Sequence, residues 1–173
     1  MERDPLEVLT RPARPPDAVV RYADHSCGVI DLFLPPAFGH GSRSLHNGEA
    51  LRSAAVGGET RLTELVAETD EITPLAARPC RLVVALHGGF WREKWDRTHL
   101  RPFATALVER GFVVATPEYR RGPGGWPDAS YDVTRALDHV ADLVESVAPG
   151  VIDPDEPFTI TGHSAGGQLA LWG

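Results

Sequence analysis

The chain has 173 residues, 42% of them hydrophobic, and a net charge of −7 from 17 basic and 24 acidic side chains. That length fits one domain with room for a sizeable core, and the acidic balance argues against a general nucleic-acid footprint. No apolar run is long enough to cross a membrane, and Met1-Glu2-Arg3-Asp4-Pro5 lacks the apolar core of a secretion signal, so a cytoplasmic location is expected. Cys27 and Cys80 lie far apart without metal-ligand spacing and read as two reduced thiols. Lys94 is the single lysine, and the excess of arginine reads as a composition bias rather than an arginine-based function.

Residues 1–17, rich in proline and charge, are expected as a flexible tail ahead of a partial domain over 18–173. Ala18–Tyr22 and Gly28–Leu34 are strand-like and suited to a hairpin, which Pro35-Pro36 ends. Residues 37–79 form an insertion or long loop, read as a mobile surface segment in preference to a lid, with a mixed stretch at 61–72. Leu82–Leu86 is an apolar run suited to a buried strand. Pro102 opens a helix that runs to Arg110 and stops at Gly111, with Phe103, Ala106 and Leu107 on one face. Phe112–Ala115 is the next buried strand. Arg120–Gly125 is a glycine-rich bend, with no Lys-Ser/Thr to make it a phosphate loop. A second helix spans about 131–147, where Val133, Leu137, Val140, Val144 and Val147 make one apolar stripe, and Pro149-Gly150 ends it. Asp153, Asp155 and Glu156 read as a solvated loop, not a metal site. Phe158–Thr161 is read as a buried strand, and Gln168–Trp172 as the first turns of a helix. This order is that of an α/β fold, a mostly parallel sheet with flanking helices.

Two motifs carry chemistry. Gly162-His163-Ser164-Ala165-Gly166 stands between the last strand and the last helix. A G-x-S-x-G turn in that context holds a serine in a strained conformation with its oxygen exposed, and the glycines clear space for the bend. Upstream, Leu82–Leu86 runs into His87-Gly88-Gly89-Phe90-Trp91. Acyl transfer develops an oxyanion, and backbone N–H groups of a Gly-Gly loop approach such a charge without side-chain obstruction. The amide of Ala165, after the serine, is a further donor of this kind.

These residues resemble the α/β-hydrolase superfamily, and within it the kynurenine-formamidase-like and hormone-sensitive-lipase-like esterases. The resemblance rests on His87–Trp91, Pro117-Glu118-Tyr119-Arg120-Arg121, Trp126-Pro127-Asp128-Ala129 leading into Asp132-Val133, and Gly162–Gly167. Arg21-Tyr22 and Ile30–Pro35 match the opening hairpin. The resemblance implies Ser164 as nucleophile, with Gly88, Gly89 and Ala165 as oxyanion-hole positions. It further implies Phe90 and Trp91 as substrate-pocket residues, and His87 as a structural member of the loop. It implies no metal and no organic cofactor. The partner is a small-molecule ester or amide, with neither nucleic acid nor membrane; a homo-oligomer or complementing chain stays open.

In this fold the triad runs Ser, then Asp or Glu, then His. No Asp, Glu or His follows Ser164. The expectation is therefore the N-terminal half of an α/β-hydrolase fold with its C-terminal strands missing, inactive or weakly active by itself because serine without a base is a poor nucleophile. None of the seven histidines, all upstream, replaces the base. The alternative is a non-catalytic module, degenerate or a fragment, that binds a ligand or partner; a peptidase of the same fold is weaker still.

Overall fold

The computed structural model describes residues 11–36 and 78–173. The stretch at 61–72 and the choice between insertion and lid fall outside the described residues. Five strands form one sheet in the order β1-β2-β4-β3-β5. They are β1 (Ala18–Arg21), β2 (Val29–Phe33), β3 (Leu82–Leu86), β4 (Val113–Pro117) and β5 (Thr159–Gly162). β1 and β2 pair antiparallel, as the hairpin reading requires, and β2 lies antiparallel to β4. β4 with β3, and β3 with β5, are parallel. The sheet is thus mixed, with its parallel half built from the motif-bearing strands.

Period-2 alternation sends each strand's side chains to two faces. Ile30, Leu32, Leu82, Val84, Leu86, Val113 and Ala115 join one core cluster with Val133, Val140, Val144 and Leu169. These last residues come from α2 (Trp126–Val147) and α3 (Ala165–Trp172). Phe33, Ala85 and Val114 face the other way and pack on Leu100, Ala104 and Val108. That second layer is α1 (Arg101–Val108), entered through a 3-10 turn at Arg97–Leu100. Helices therefore cover both faces of the sheet.

Four readings change in detail. The buried face of α1 is Leu100, Ala104 and Val108, while Phe103 is exposed. Buried Leu100 in the preceding turn sets this phase, since i, i+4 and i+8 share a face. α2 begins at Trp126, not near residue 131, because Pro127 suits a first helical turn. Val147 on its expected stripe is exposed, whereas Ala136 and the charged Asp132 are buried. β5 is not a buried strand: Thr159 and Gly162 are exposed and Ile160 is half-buried. It pairs on one side only, with β3, among the described residues.

The end of the expected tail is tied down. Arg14 Nη2 donates to the Leu34 carbonyl at 2.6 Å, and the Leu34 N–H donates to Asp17 at 2.7 Å. Cys27 and Cys80 are both free thiols. Among the described residues no helix is long and apolar enough to cross a membrane.

The two-layer packing makes a contrast that can be measured. Leu32→Ala, at a side chain with 0% exposure, is expected to cost about 2–5 kcal/mol in urea unfolding. Leu171→Ala, at 92% exposure, is expected to change stability by no more than about 0.5 kcal/mol. Equal effects at the two leucines would contradict the assigned core.

Candidate active site

β3 and β5 end side by side, with Leu86 opposite Gly162. The segments that follow these strands therefore start at the same edge of the sheet. β5 runs directly into Ser164, whose φ of 55° and ψ of −116° lie outside the regions favoured by L-residues. α3 starts at the next residue. The turn closes because two positions have no side chain. A Cβ on Gly162 would stand 2.2 Å from the Gly166 carbonyl oxygen, and one on Gly166 would stand 2.2 Å from that of Leu86. Ser164 is exposed, and its hydroxyl has no hydrogen-bond partner among the described residues.

The glycine loop after β3 abuts this turn. A Cβ on Gly88 would lie 2.6 Å from the His163 carbonyl oxygen and 3.1 Å from Ser164 Cβ. Gly89 has φ of 132°, and a Cβ there would meet Trp95 Cβ at 2.4 Å. Phe90 and Trp91 follow with φ of 53° and 60°, a strained pair for non-glycine residues. The N–H groups of Gly88, Gly89 and Ala165 have no acceptor among the described residues. The loop and elbow thus bring unspent backbone donors beside the serine, at the start of a helix whose dipole favours negative charge.

The two aromatics expected to line a pocket are placed differently from one another. Phe90 is 78% exposed, whereas Trp91 packs against the core and meets Trp126 edge-on, with ring centroids 5.5 Å apart. Trp126 meets Trp172 in the same way at 5.6 Å. A cavity of about 400 Å³, lined in part by Cys80, Leu82, Ile152 and Phe158, lies at the opposite end of the parallel strands and has no contact with the serine.

Behind the glycine loop lies a buried polar network that the sequence reading did not assign. His87 is fully buried and stacks on Tyr119, with centroids 4.2 Å apart and planes 12° from parallel. Its Nε2 donates to Glu118 Oε1 at 2.8 Å, and its Nδ1 faces the Gly88 carbonyl at 2.9 Å. The Tyr119 hydroxyl donates to the His87 carbonyl. Glu118 also accepts from the Arg97 backbone N–H at 3.1 Å and from the Arg121 guanidinium. Burial pushes its carboxyl up, but the bond from His87, the His87 charge and the arginine side hold it below its ordinary value. Burial pushes the Tyr119 hydroxyl up, so it remains a donor. Burial, and next the neighbouring His87, lower His99. Arg97 reaches on to Asp31 at 2.7 Å, and Arg101 meets Asp31 at 3.2 Å. Farther along, Arg120 holds buried Asp132 through Nε at 2.9 Å and Nη2 at 2.6 Å.

Thus four arginines read as composition bias are committed to buried carboxylates. The available signals were small: an acid inside the apolar Ile30–Leu34 run, and another directly after β4. None of the described histidines hydrogen-bonds Ser164. His139 is exposed on α2, and His25 sits 3.3 Å from Asp132 without hydrogen-bond geometry.

Two measurements follow from this geometry. Gly166→Ala is expected to lower stability by about 1–3 kcal/mol or more in chemical unfolding, since its Cβ meets backbone, not a yielding side chain. A fully stable Gly166→Ala would contradict the close approach. The second concerns acid. Burial raises the Asp132 carboxyl, but Arg120 outweighs this and leaves it below the ordinary 3.8. Its contribution is therefore present above that value and disappears as pH falls through the lower folded value. Asp132→Asn is expected to lower the urea midpoint at pH ~7 and to make the midpoint's fall below pH ~4 shallower than in the parent. An equally steep acid limb would refute the assignment.

Comparison with known proteins agrees with this architecture. The BD-FAE family matches residues 72–173. Esterase LipQ of Mycobacterium tuberculosis (strain ATCC 25618 / H37Rv) is 32% identical over 115 residues, which are 66% of this chain and 26% of that protein. The apo form of Thermogutta terrifontis esterase 2 superposes with a TM-score of 0.56 at 20% identity, over 92% of this chain and 46% of that one. Its butyrate-bound structure gives 0.54 at 19% identity, over 88% and 42%. At such identities the superpositions show the fold, a partial α/β-hydrolase domain. The chain spans about a quarter of its curated relative and less than half of these solved structures.

Proposed function

The chain belongs to the BD-FAE family, and we propose on that premise that it carries the nucleophile and oxyanion donors of a serine esterase. The observation that carries the proposal is the juxtaposition of Ser164, at φ of 55°, with the Gly88 backbone and with unspent amides on two segments. Ser164 attacks the carbonyl carbon of a small-molecule carboxylic ester. The resulting oxyanion is held by amides of the Gly88-Gly89 loop and by the Ala165 amide. Collapse of the tetrahedral adduct expels the alcohol and leaves an acyl-enzyme, which water then hydrolyses.

The base that accepts the serine proton is assigned to none of the described residues. His87 has both nitrogens engaged behind the loop, so it supports the donors instead of the nucleophile. Phe90, exposed and two residues after Gly88, is the residue we assign to contact an apolar or aromatic substrate group. Trp91 backs it through the contact with Trp126. Aryl formamides present the same acyl chemistry and are the second substrate class. The naming of the relatives as esterases and the butyrate bound to a protein of the same fold favour short acyl esters.

The test is hydrolysis of p-nitrophenyl butyrate and N-formylkynurenine by the full-length protein, with fluorophosphonate labelling in parallel. Ser164→Ala is expected to abolish labelling and to lower hydrolysis by about a thousandfold or more. Label on another residue, or hydrolysis unchanged in the variant, would end the serine-esterase reading. A ratio of formamide to ester turnover well above one would assign the formamidase class.

A further inference from the structure

An oxyanion hole works only if its amides point correctly before substrate arrives. A glycine pair is poorly suited to that by itself, since glycine populates more backbone conformations than any other residue. Gly88 and Gly89 therefore need an external reason to hold one orientation. Each peptide unit is planar and trans, so fixing the carbonyl of one residue fixes the N–H of the next on the opposite edge of the same plane.

Both carbonyls in question are held. The His87 carbonyl accepts from the Tyr119 hydroxyl, which sets the plane that carries the Gly88 N–H. With Nε2 donating to Glu118, His87 Nδ1 donates to the Gly88 carbonyl, 2.9 Å away, only in the doubly protonated imidazolium, and in that form it sets the plane that carries the Gly89 N–H. The two holders come from one place. His87 is kept in position by Glu118, through Nε2 at 2.8 Å, and by the stacked ring of Tyr119. Glu118 and Tyr119 are consecutive residues leaving β4, and both are buried. Glu118 is itself fixed by the Arg97 backbone, by Arg121 and by the Tyr119 N–H at 3.2 Å.

We propose that Glu118 and Tyr119 are positioning residues that clamp two successive peptide planes of the glycine loop from behind, Tyr119 directly and Glu118 through His87, and so aim the Gly88 and Gly89 amides. The assignment to an oxyanion hole rests on the serine-esterase reading; the clamp itself rests on the hydrogen bonds. Neither residue touches substrate. Their effect is to preserve in a flexible loop the direction of charge stabilisation, so their loss acts on the transition state and leaves substrate binding nearly unchanged.

The experiment uses the near-isosteric Tyr119→Phe and the shape-conserving Glu118→Gln in the full-length protein. With p-nitrophenyl butyrate, Tyr119→Phe is expected to lower kcat about 10- to 100-fold with KM within about twofold, a fraction of what misplacing a reacting group or deleting a donor costs. Affinity for phenylboronic acid, which forms a tetrahedral adduct on the serine, falls by a similar factor, while inhibition by butyrate is unchanged. Amide spectra provide a readout that needs no activity. The Gly88 and Gly89 resonances of the ¹⁵N-labelled parent are expected to be single and sharp, and to double or broaden in Tyr119→Phe. In Glu118→Gln the Gly89 resonance responds more than that of Gly88. If those resonances stay sharp and unmoved in Tyr119→Phe, or if KM rises with kcat unchanged, the clamp is wrong, whatever Ser164→Ala shows. If Ser164→Ala retains full activity while the resonances broaden, the clamp stands and the esterase reading falls. Should Glu118→Gln not fold, Tyr119→Phe carries the test alone.

Discussion

The elbow and the glycine loop meet backbone against backbone, and the rest of the site depends on that contact. Gly166 lies so close to the end of β3 that a methyl group there would overlap the carbonyl oxygens of Leu86 and His87, at 2.2 and 2.4 Å. A Cβ on Gly88 would stand 2.6 Å from the His163 carbonyl oxygen and 3.1 Å from Ser164 Cβ. Parallel pairing of β3 with β5 makes the approach possible, because it places the exits of the two strands at one edge. The strained φ of Ser164 costs on the order of 1–3 kcal/mol. It persists because its neighbours are fixed on both sides: β5 is paired with β3, and α3 is anchored by the fully buried Leu169.

A second layer of order is electrostatic. Asp31, Glu118 and Asp132 are all buried, and each is met by arginine. A buried carboxylate without a partner would be expensive, and a planar guanidinium supplies two directed donors where an ammonium supplies a point charge. Arg120 uses this geometry on Asp132, with Nε and Nη2 donating to different oxygens. Arg97 links two acids at once, Asp31 through its side chain and Glu118 through its backbone. The arginine content that looks like bias in the composition is thus partly a requirement of burying these three acids.

What could be read from the chain, and what could not, follows from the range of the interactions. Leu82–Leu86 and Val113–Pro117 are fully buried strands, as the apolar runs at 82–86 and 112–115 imply, and the glycines at 162 and 166 signal a turn with no space. The β1–β2 hairpin was legible from two strand-like stretches and a proline stop. These are local signals. The phase of α1 was not legible, because it is set by Leu100 in a turn that propensity does not mark. The exposure of β5 depends on which strands flank it, which is a property of the sheet and not of Thr159–Gly162. Glu118 and Tyr119 were visible as letters in a family-like motif without a role. Their partners, the ring and the carbonyl of His87, lie some thirty residues upstream.

The glycine loop is held at both ends, and this explains how it bears two non-glycine residues in left-handed conformations. At its start His87 is stacked, hydrogen-bonded and buried. At its far end Trp91 rests edge-on against Trp126, and the Arg92 N–H closes back on the Gly89 carbonyl at 2.9 Å. Strain at Phe90 and Trp91 is then offset by packing that neither residue's own backbone provides. The same arrangement leaves Phe90 facing solvent, while His87, Glu118 and Tyr119 behind the loop are buried. On the proposed esterase reading, a loop held from behind and open in front suits a site where charge develops. Rigidity behind the amides serves preorganisation, since dipoles already aligned need no reorganisation during the reaction. On the same reading, the exposure of Ser164 leaves it accessible to a small acyl group.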